Sequence, residues 1–351
     1  MITVNGTTIT VSTKTLDAVL EAGTLVSLRS KSGREYLTEA SAASPTLEIV
    51  FRGRDKRPVK TCAQGRVVCT GLSDTCAEIR FDALDGNGVL SVTEDEENGD
   101  LCIEPEVSSA RYGVLAARWT VSGFDPAMKL TAPFFQGIDM DPEDELIRNR
   151  KWIWPHRWEA GLCIFHDDAG GFWVHCRDTA YRAKSLVTGE KQTISFDSEA
   201  WGPVDRSLSA GGLIWRVNVF DGGWQVPAAE YRRWLWEAYG LGREEARRPA
   251  WQKDIRLALS WAPADQELLK TLAKKVDRRR CCSTSRTGGR TATINAIRTS
   301  RRARSSRNIS GSPARSDSTS CRTPTALTWI PVCRNTSTSA TSSTAISRMG
   351  R

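Results

Sequence analysis

Residues 161–176, GLCIFHDDAGGFWVHC, decide the fold. Two apolar runs flank a segment made of the residues that reverse a chain, which predicts a β-hairpin turning over Asp167 to Gly171. Outward from it, QTISFD (192–197) and GLIWRVNVF (212–220) have the same short, β-branched and aromatic character. Upstream, LDAVLEAGTLVSLRSK (16–31), PTLEIVFRG (45–53), AEIRFDALDGNGVLSV (77–92), DLCIEP (100–105) and VLAARWTVSG (114–123) are apolar or alternating runs separated by turn residues. The DGNG at 85–88 is expected to turn a hairpin; it has too few acidic ligands for a calcium loop. Many strands with few helices predict a large antiparallel β-sandwich over residues 1–225.

The pattern changes at VPAAEYRRWLWEAYG (226–240), where Tyr231, Trp234 and Leu235 recur at helical spacing between arginines. This predicts an amphipathic helix that closes the sandwich, within a linking segment over 226–252. Trp234 and Trp236 are read as packing residues of that helix. Next comes DIRLALSW (254–261), a short apolar strand, then PADQELLKTLAKKVD (263–277), a helix opened by Pro263 and Asp265. A strand followed by a helix starts a β/α unit, here assigned to 253–277.

The 351-residue chain is 40% apolar, enough for packed cores, and carries a formal net charge of +8. Nearly all of that charge sits at one end. Residues 278–351 hold fifteen arginines, no lysine and a single acidic residue, Asp317, a net of +14. The preceding 277 residues carry 34 basic and 40 acidic side chains, a net of −6. With no apolar run long enough for a membrane span and no secretion signal at the start, the expectation is a cytoplasmic product with no membrane partner. Ten cysteines without a CxxC pair point to buried or free thiols rather than disulfides.

Residues 278–351 are dominated by Arg, Ser and Thr with no period of 3.6 or 2. Taken at face value they are a disordered basic tail. A second reading explains the residue choice. In the frame that joins the last base of each codon to the first two of the next, Ser codons yield Phe, Leu, Ile or Val, Cys codons yield Leu, Met or Val, and CGN Arg codons yield small residues or Pro. With the free bases chosen suitably, that frame spells VLLHI, a buried strand, DWRTDGYDQRYPDF, then SEEFKEYI, which opens a Ser-capped helix, and ALGFHVM, a glycine turn into another strand. The tail is therefore read as the product of a frameshift near residue 278.

The order of LDAVLEAGTLVSLRSKSGREYL, GFWVHCRDTAYRAKSL, WQVPAAEYRRWLWEAYGL and WQKDIRLALSW resembles glycoside-hydrolase-like proteins related to the endo-α-N-acetylgalactosaminidases. The resemblance implies an N-terminal supersandwich of the galactose-mutarotase type followed by a (β/α)8 barrel, and hydrolysis of O-glycosidic bonds by the intact protein. In such a barrel the two carboxylates stand at the C-terminal ends of later strands, about 5 to 9.5 Å apart. This chain reaches one barrel strand, so no residue is assigned a catalytic role and the product is expected to be inactive. Two rival readings stand beside it: a lectin-like sandwich that binds glycans without hydrolysing them, and a nucleic-acid binder acting through the arginine tail. The missing lysines and aromatic interleaving weigh against the latter, so the expected partner is a carbohydrate and not a nucleic acid.

Eleven of the thirteen tryptophans lie between Trp152 and Trp261. Trp152, Trp154 and Trp158, in what reads as an exposed loop, and Trp261, at the end of the first barrel strand, are the candidates for stacking on a sugar ring. His156, His166 and His175 are too scattered for a metal site and are expected to be structural. The run Asp139, Asp141, Glu143, Asp144 and Glu145 is expected to be a solvated surface, and Cys62, Cys69 and Cys76 an incidental spacing. No metal and no cofactor is expected.

Overall fold

The computed structural model describes residues 1–38, 46–53, 58–62, 65–83, 85–134, 137–141, 144–190, 192–262, 266–275, 277 and 281–285. The chain forms two compact units, Met1–Arg247 and Arg248–Arg351.

The first unit opens with a four-stranded antiparallel meander of β1 (Ile2–Asn5), β2 (Thr8–Ser12), β3 (Leu16–Glu21) and β4 (Thr24–Ser30). Strict alternation buries Ile9, Val11, Leu16, Ala18 and Leu20 on one face. The β3–β4 reversal passes through Ala22 and Gly23, both with positive φ. A β-carbon on Gly23 would lie 2.5 Å from the Phe81 ring, so glycine is needed there for space as well as for conformation.

The sandwich follows, built from β5 (Leu47–Arg52), β6 (Pro58–Cys62), β7 (Arg66–Ser73), β8 (Cys76–Ala83), β9 (Gly86–Asp95), β10 (Asp100–Ser108), β11 (Val114–Ser122), β12 (Lys129–Ala132), β13 (Ile138–Met140), β14 (Lys151–Ile153), β15 (Leu162–His166), β16 (Gly170–His175), β17 (Lys184–Thr188), β18 (Thr193–Glu199), β19 (Ser209–Gly211) and β20 (Trp215–Asp221). Among the described residues, one sheet runs β14-β17-β18-β11-β5-β6 and a larger one β13-β12-β15-β16-β20-β10-β9-β8-β7, with β19 also paired to β10. Every strand pairing among the described residues of these two sheets is antiparallel, as the sequence predicts. Their inner faces share one core with the meander, in which Trp119, Phe196, Trp215 and Trp158 are fully buried. Trp119 stacks on Phe196 with centroids 5.6 Å apart.

The DDAGG hairpin joins β15 and β16. The Asp167 carboxylate accepts hydrogen bonds from the amides of Ala169 and Gly170 at 2.9 and 3.2 Å, which is the turn chemistry its sequence predicts. The 85–88 hairpin also forms, but its reversal comes earlier than expected. Ala83 pairs with Gly86, so Gly86, Asn87 and Gly88 belong to β9.

Helix α1 (Gln225–Ala238) lies on the outward face of the large sheet, where Tyr231 packs with Leu162, Ile164, Trp173 and Phe220, flanked by Ala228, Trp234 and Leu235. Trp234 thus packs as expected. Trp236 is half-buried, with the Arg232 guanidinium 5.2 Å from its ring centroid. The helix is part of the sandwich unit, which continues through α2 (Leu241–Arg247).

The second unit holds α3 (Ala250–Lys253), β21 (Leu257–Ala262), α4 (Gln266–Lys275) and β22 (Cys281–Ser285). Strands β21 and β22 pair in parallel, Leu257 with Cys281 and Ala258 with Cys282, so the expected β/α start becomes a complete β-α-β unit. Residues 281–285 fall inside the stretch expected to be structureless, and this pairing corrects that expectation for them. Pro263, Asp265 and the rest of the stretch beyond Ser285 lie outside the described residues, as does Glu143 of the acidic run.

Candidate functional site

Along β20 the apolar residues Trp215, Val217 and Val219 point into the core, which sends Arg216 and Asn218 to the outward face of the large sheet. The same alternation brings Asp100, Cys102 and Glu104 out of β10 and Trp173 and His175 out of β16. Cross-strand register then sets Thr93, Cys102, Arg216 and His175 in one row, and Asn218 opposite Trp173 in the next.

Within this array Arg216 contacts Asp100 at 3.2 Å and also pairs with Asp95. The Asn218 amide donates to the Asp100 carboxylate at 2.7 Å. His175 is fully buried, stacked on Trp173 with centroids 3.8 Å apart and edge-on to Tyr231. Its Nε2 lies 3.6 Å from Asp100 Oδ2, and neither ring nitrogen has a hydrogen-bond partner. Burial pushes the imidazole down to about 4, so it is neutral near pH 7. Burial alone would raise Asp100, but His175, the Asn218 amide and the Arg177 charge outweigh it and hold the carboxyl at about 2. Glu104, half-buried, is raised by burial and by the neighbouring Glu106 charge, with Arg182 acting against them. Burial also pushes the Cys102 thiol up to about 11, which leaves it protonated and a poor nucleophile.

At one rim of this face the segment after β16 forms a second charged cluster. Asp178, buried, accepts hydrogen bonds from Lys184 Nζ at 2.9 Å and from the Arg182 amide at 2.8 Å. Arg177 reaches Glu230 of α1 at 2.7 Å while its Nε has no partner. Aromatic rings close the rim: Tyr181 lies 6.2 Å from Trp154 and 5.4 Å from Tyr239, and Tyr239 donates to the Asp178 carbonyl at 2.8 Å. Tyr181 is 43% exposed. The face thus sets buried, mutually paired polar groups beside a partly open aromatic rim. Nothing in it pairs a nucleophile with a base, and among the described residues no three His, Cys, Asp or Glu side chains gather as metal ligands.

The expected tryptophans are placed as follows. Pro155, His156 and Arg157 form an exposed turn, but the tryptophans on either side turn inward: Trp152 sits in β14, buried and stacked on Phe134 at 4.2 Å. Trp158 is wholly buried and donates from Nε1 to the Leu162 carbonyl at 2.9 Å, leaving no ring face for a ligand. Trp154 joins the aromatic rim, half-buried, with Lys184 Nζ 3.9 Å above one ring face. The side chain of Trp261 lies outside the described residues. His166 bonds Thr131 at 2.7 Å, the structural role expected of it. Arg216, Asp100 and Asn218 escape a motif search because they come from strands more than a hundred residues apart. Their one sequence signal is the polar-apolar alternation of WRVNVF.

No helix among the described residues is long and apolar enough to cross a membrane. The sequence matches no protein family and no curated protein. Among solved structures, the chain is similar to an α-N-acetylgalactosaminidase of Bifidobacterium bifidum, at 12% identity and a TM-score of 0.48, over 78% of this chain and 49% of that one. It is also similar to a putative aldose 1-epimerase of Escherichia coli K12, at 10% identity and a TM-score of 0.36, over 62% of this chain and 100% of that one. A galactose mutarotase-like protein of Lactobacillus casei gives 11% identity and a TM-score of 0.38, over 61% and 100%. The chain thus spans about half the length of the galactosaminidase.

Proposed function

We propose that this chain is the N-terminal portion of a glycoside hydrolase, that its outward sheet face takes carbohydrate, and that it is catalytically inert as it stands. The observation that carries the reading is the change of topology at residue 257, where an antiparallel sandwich gives way to a parallel β-α-β unit. Parallel strands joined by a helix need further β/α units to cover both faces, which is how a barrel begins. Glycosidic cleavage needs two carboxylates on the C-terminal rim of such a barrel, and the two strands of the described β-α-β unit, LALSWA and CCSTS, carry none.

The codons of residues 280–285 are those that spell VLLHI out of frame, a buried-strand sequence in the segment where β22 forms. This supports a coding frame lost near residue 278. Resequencing the DNA across codons 270–351 tests it directly. A one-base change that opens several hundred further codons of β/α periodicity is the expected result; the present frame standing as the only open one would overturn the fragment reading.

The binding-module reading, glycan capture without hydrolysis, is favoured by the sheet face itself, because Arg216, Arg177, Arg182 and Glu104 gather there with no nucleophile and base among them. Calorimetric titration of the full chain with neutral oligosaccharides should give binding that Glu104→Gln and Arg216→Ala weaken at least tenfold. Equal affinity in both variants would rule the face out.

A further inference from the structure

A second place in the sandwich unit has the chemistry of a carbohydrate site. At one end of the sandwich lies a groove of about 460 Å³. One wall is the β8–β9 hairpin with Asn87, and another is Ser109 and Arg111, which follow β10. Leu208, on the approach to β19, completes the lining. Two large aromatic side chains on chain segments adjoining these walls keep most of their surface in solvent: Tyr112 at 65% and Trp201 at 67% exposed. Tyr112 follows the wall residue Arg111 directly. Trp201 follows Ala200, whose amide is bonded to the Leu115 carbonyl at 2.8 Å, so both rings spring from the same pair of neighbouring segments.

The backbone under these rings is fixed. Ser109 donates from its hydroxyl to the Asp85 carbonyl at 2.5 Å, and that hydroxyl accepts the Arg111 amide at 3.0 Å. The Ser109 amide bonds the Leu208 carbonyl at 2.9 Å, and the Gly113 amide bonds the Ser207 carbonyl at 3.0 Å. Arg52 pairs with Asp205 at 2.7 Å, and the Arg111 guanidinium lies 4.8 Å from the Phe51 ring centroid. Each aromatic is followed by a glycine with positive φ, Gly113 at 95° and Gly202 at 77°, which turns the chain away immediately after the ring.

Exposing an indole and a phenol on an already ordered frame forgoes the burial that normally stabilises such side chains. It also keeps the ordering cost of a ligand contact low, because the walls are in place beforehand. An amide, a hydroxyl and a guanidinium in the groove, with flat apolar rings exposed on the adjoining segments, match a neutral sugar, whose ring presents hydroxyls at its edge and C–H groups on its face. Arg111 and Asp85 offset each other in charge, which disfavours a strongly ionic ligand. The volume suits one or two sugar units.

We propose that this end groove, with Tyr112 and Trp201 as its stacking platforms and Asn87 and Arg111 as its polar contacts, is a second glycan-binding site, separate from the outward sheet face. The inference rests on the carbohydrate reading for its class of ligand but not on the sheet face. Saturation-transfer NMR on the full chain with galactose, N-acetylgalactosamine and lactose at about 10 mM, a concentration that reveals even weak sites, tests it. Trp201→Ala and Tyr112→Ala both remove exposed rings, so the fold should persist; unchanged far-UV circular dichroism and melting temperature would verify that. The expected result is transfer in the native chain that falls at least fivefold in each of these variants and survives in part in Arg216→Ala. Signal lost in Arg216→Ala and untouched in the two aromatic variants would overturn the end groove and leave the sheet face standing. No transfer from any of the three sugars would overturn both.

Discussion

His175 couples acid to stability chiefly through burial, which outweighs the opposing pull of Asp100. In the folded chain its imidazole is held down to about 4 by the loss of water around it, while in the unfolded chain it protonates near its ordinary 6.5. Between those values the unfolded state binds the extra proton, so stability is complete above about pH 6.5 and falls as the pH drops toward 4, by up to about 3 kcal/mol. Melting temperatures measured from pH 7 to pH 4.5 should therefore slope downward in the native chain and much less in His175→Phe; parallel slopes would contradict the assignment. Space, rather than charge, governs Gly171, where a β-carbon would come within 1.9 Å of the Phe165 carbonyl oxygen. Gly171→Ala is expected to destabilise by about 2–3 kcal/mol, read from the denaturant midpoint, because the DDAGG turn cannot open without moving β15.

Helix α1 is held to the large sheet chiefly by Tyr231, whose ring fills a small cluster with Leu162, Ile164, Trp173 and Phe220 and whose hydroxyl donates to the Cys176 carbonyl at 3.1 Å. Tyr231→Ala should cost about 3–4 kcal/mol through the cavity left behind, and Tyr231→Phe only about 1 kcal/mol through the lost hydrogen bond. Equal costs for the two would mean that the ring does not anchor the helix. This element was legible in the sequence because its apolar stripe is local, and the hairpins were legible because DDAGG and EAG carry their turn chemistry within a few residues. Partners distant along the chain were not legible. Nothing in KWIWPHRW tells that Trp152 will stack on Phe134, since that contact exists only once β14 has joined the edge of the six-stranded sheet. The row of Cys102, Arg216 and His175 was hidden for the same reason: β10, β20 and β16 meet through long-range pairing that local periodicity does not encode.

For the molecule as a whole, the division between Met1–Arg247 and Arg248–Arg351 coincides closely with a division in chemistry, a mildly acidic sandwich followed by a strongly basic end. Strand β21 has one strand partner among the described residues, so its other edge lacks the pairing a barrel would supply. A chain ending before residue 252 should accordingly give more soluble protein than the full chain on expression; no gain would argue against an aggregation-prone edge. The sandwich also carries its own clock. Cys102, Cys163 and Cys176 are buried, and loss of solvation pushes all three thiols up, Cys102 to about 11 and Cys176 to about 12, so an alkylating reagent meets none of these three as a thiolate while the sheets stay closed. Because the three come from three different strands or their ends, the rate at which each becomes blocked times how often its own part of the sandwich opens to solvent. One mass spectrum per time point would then separate local breathing from global unfolding.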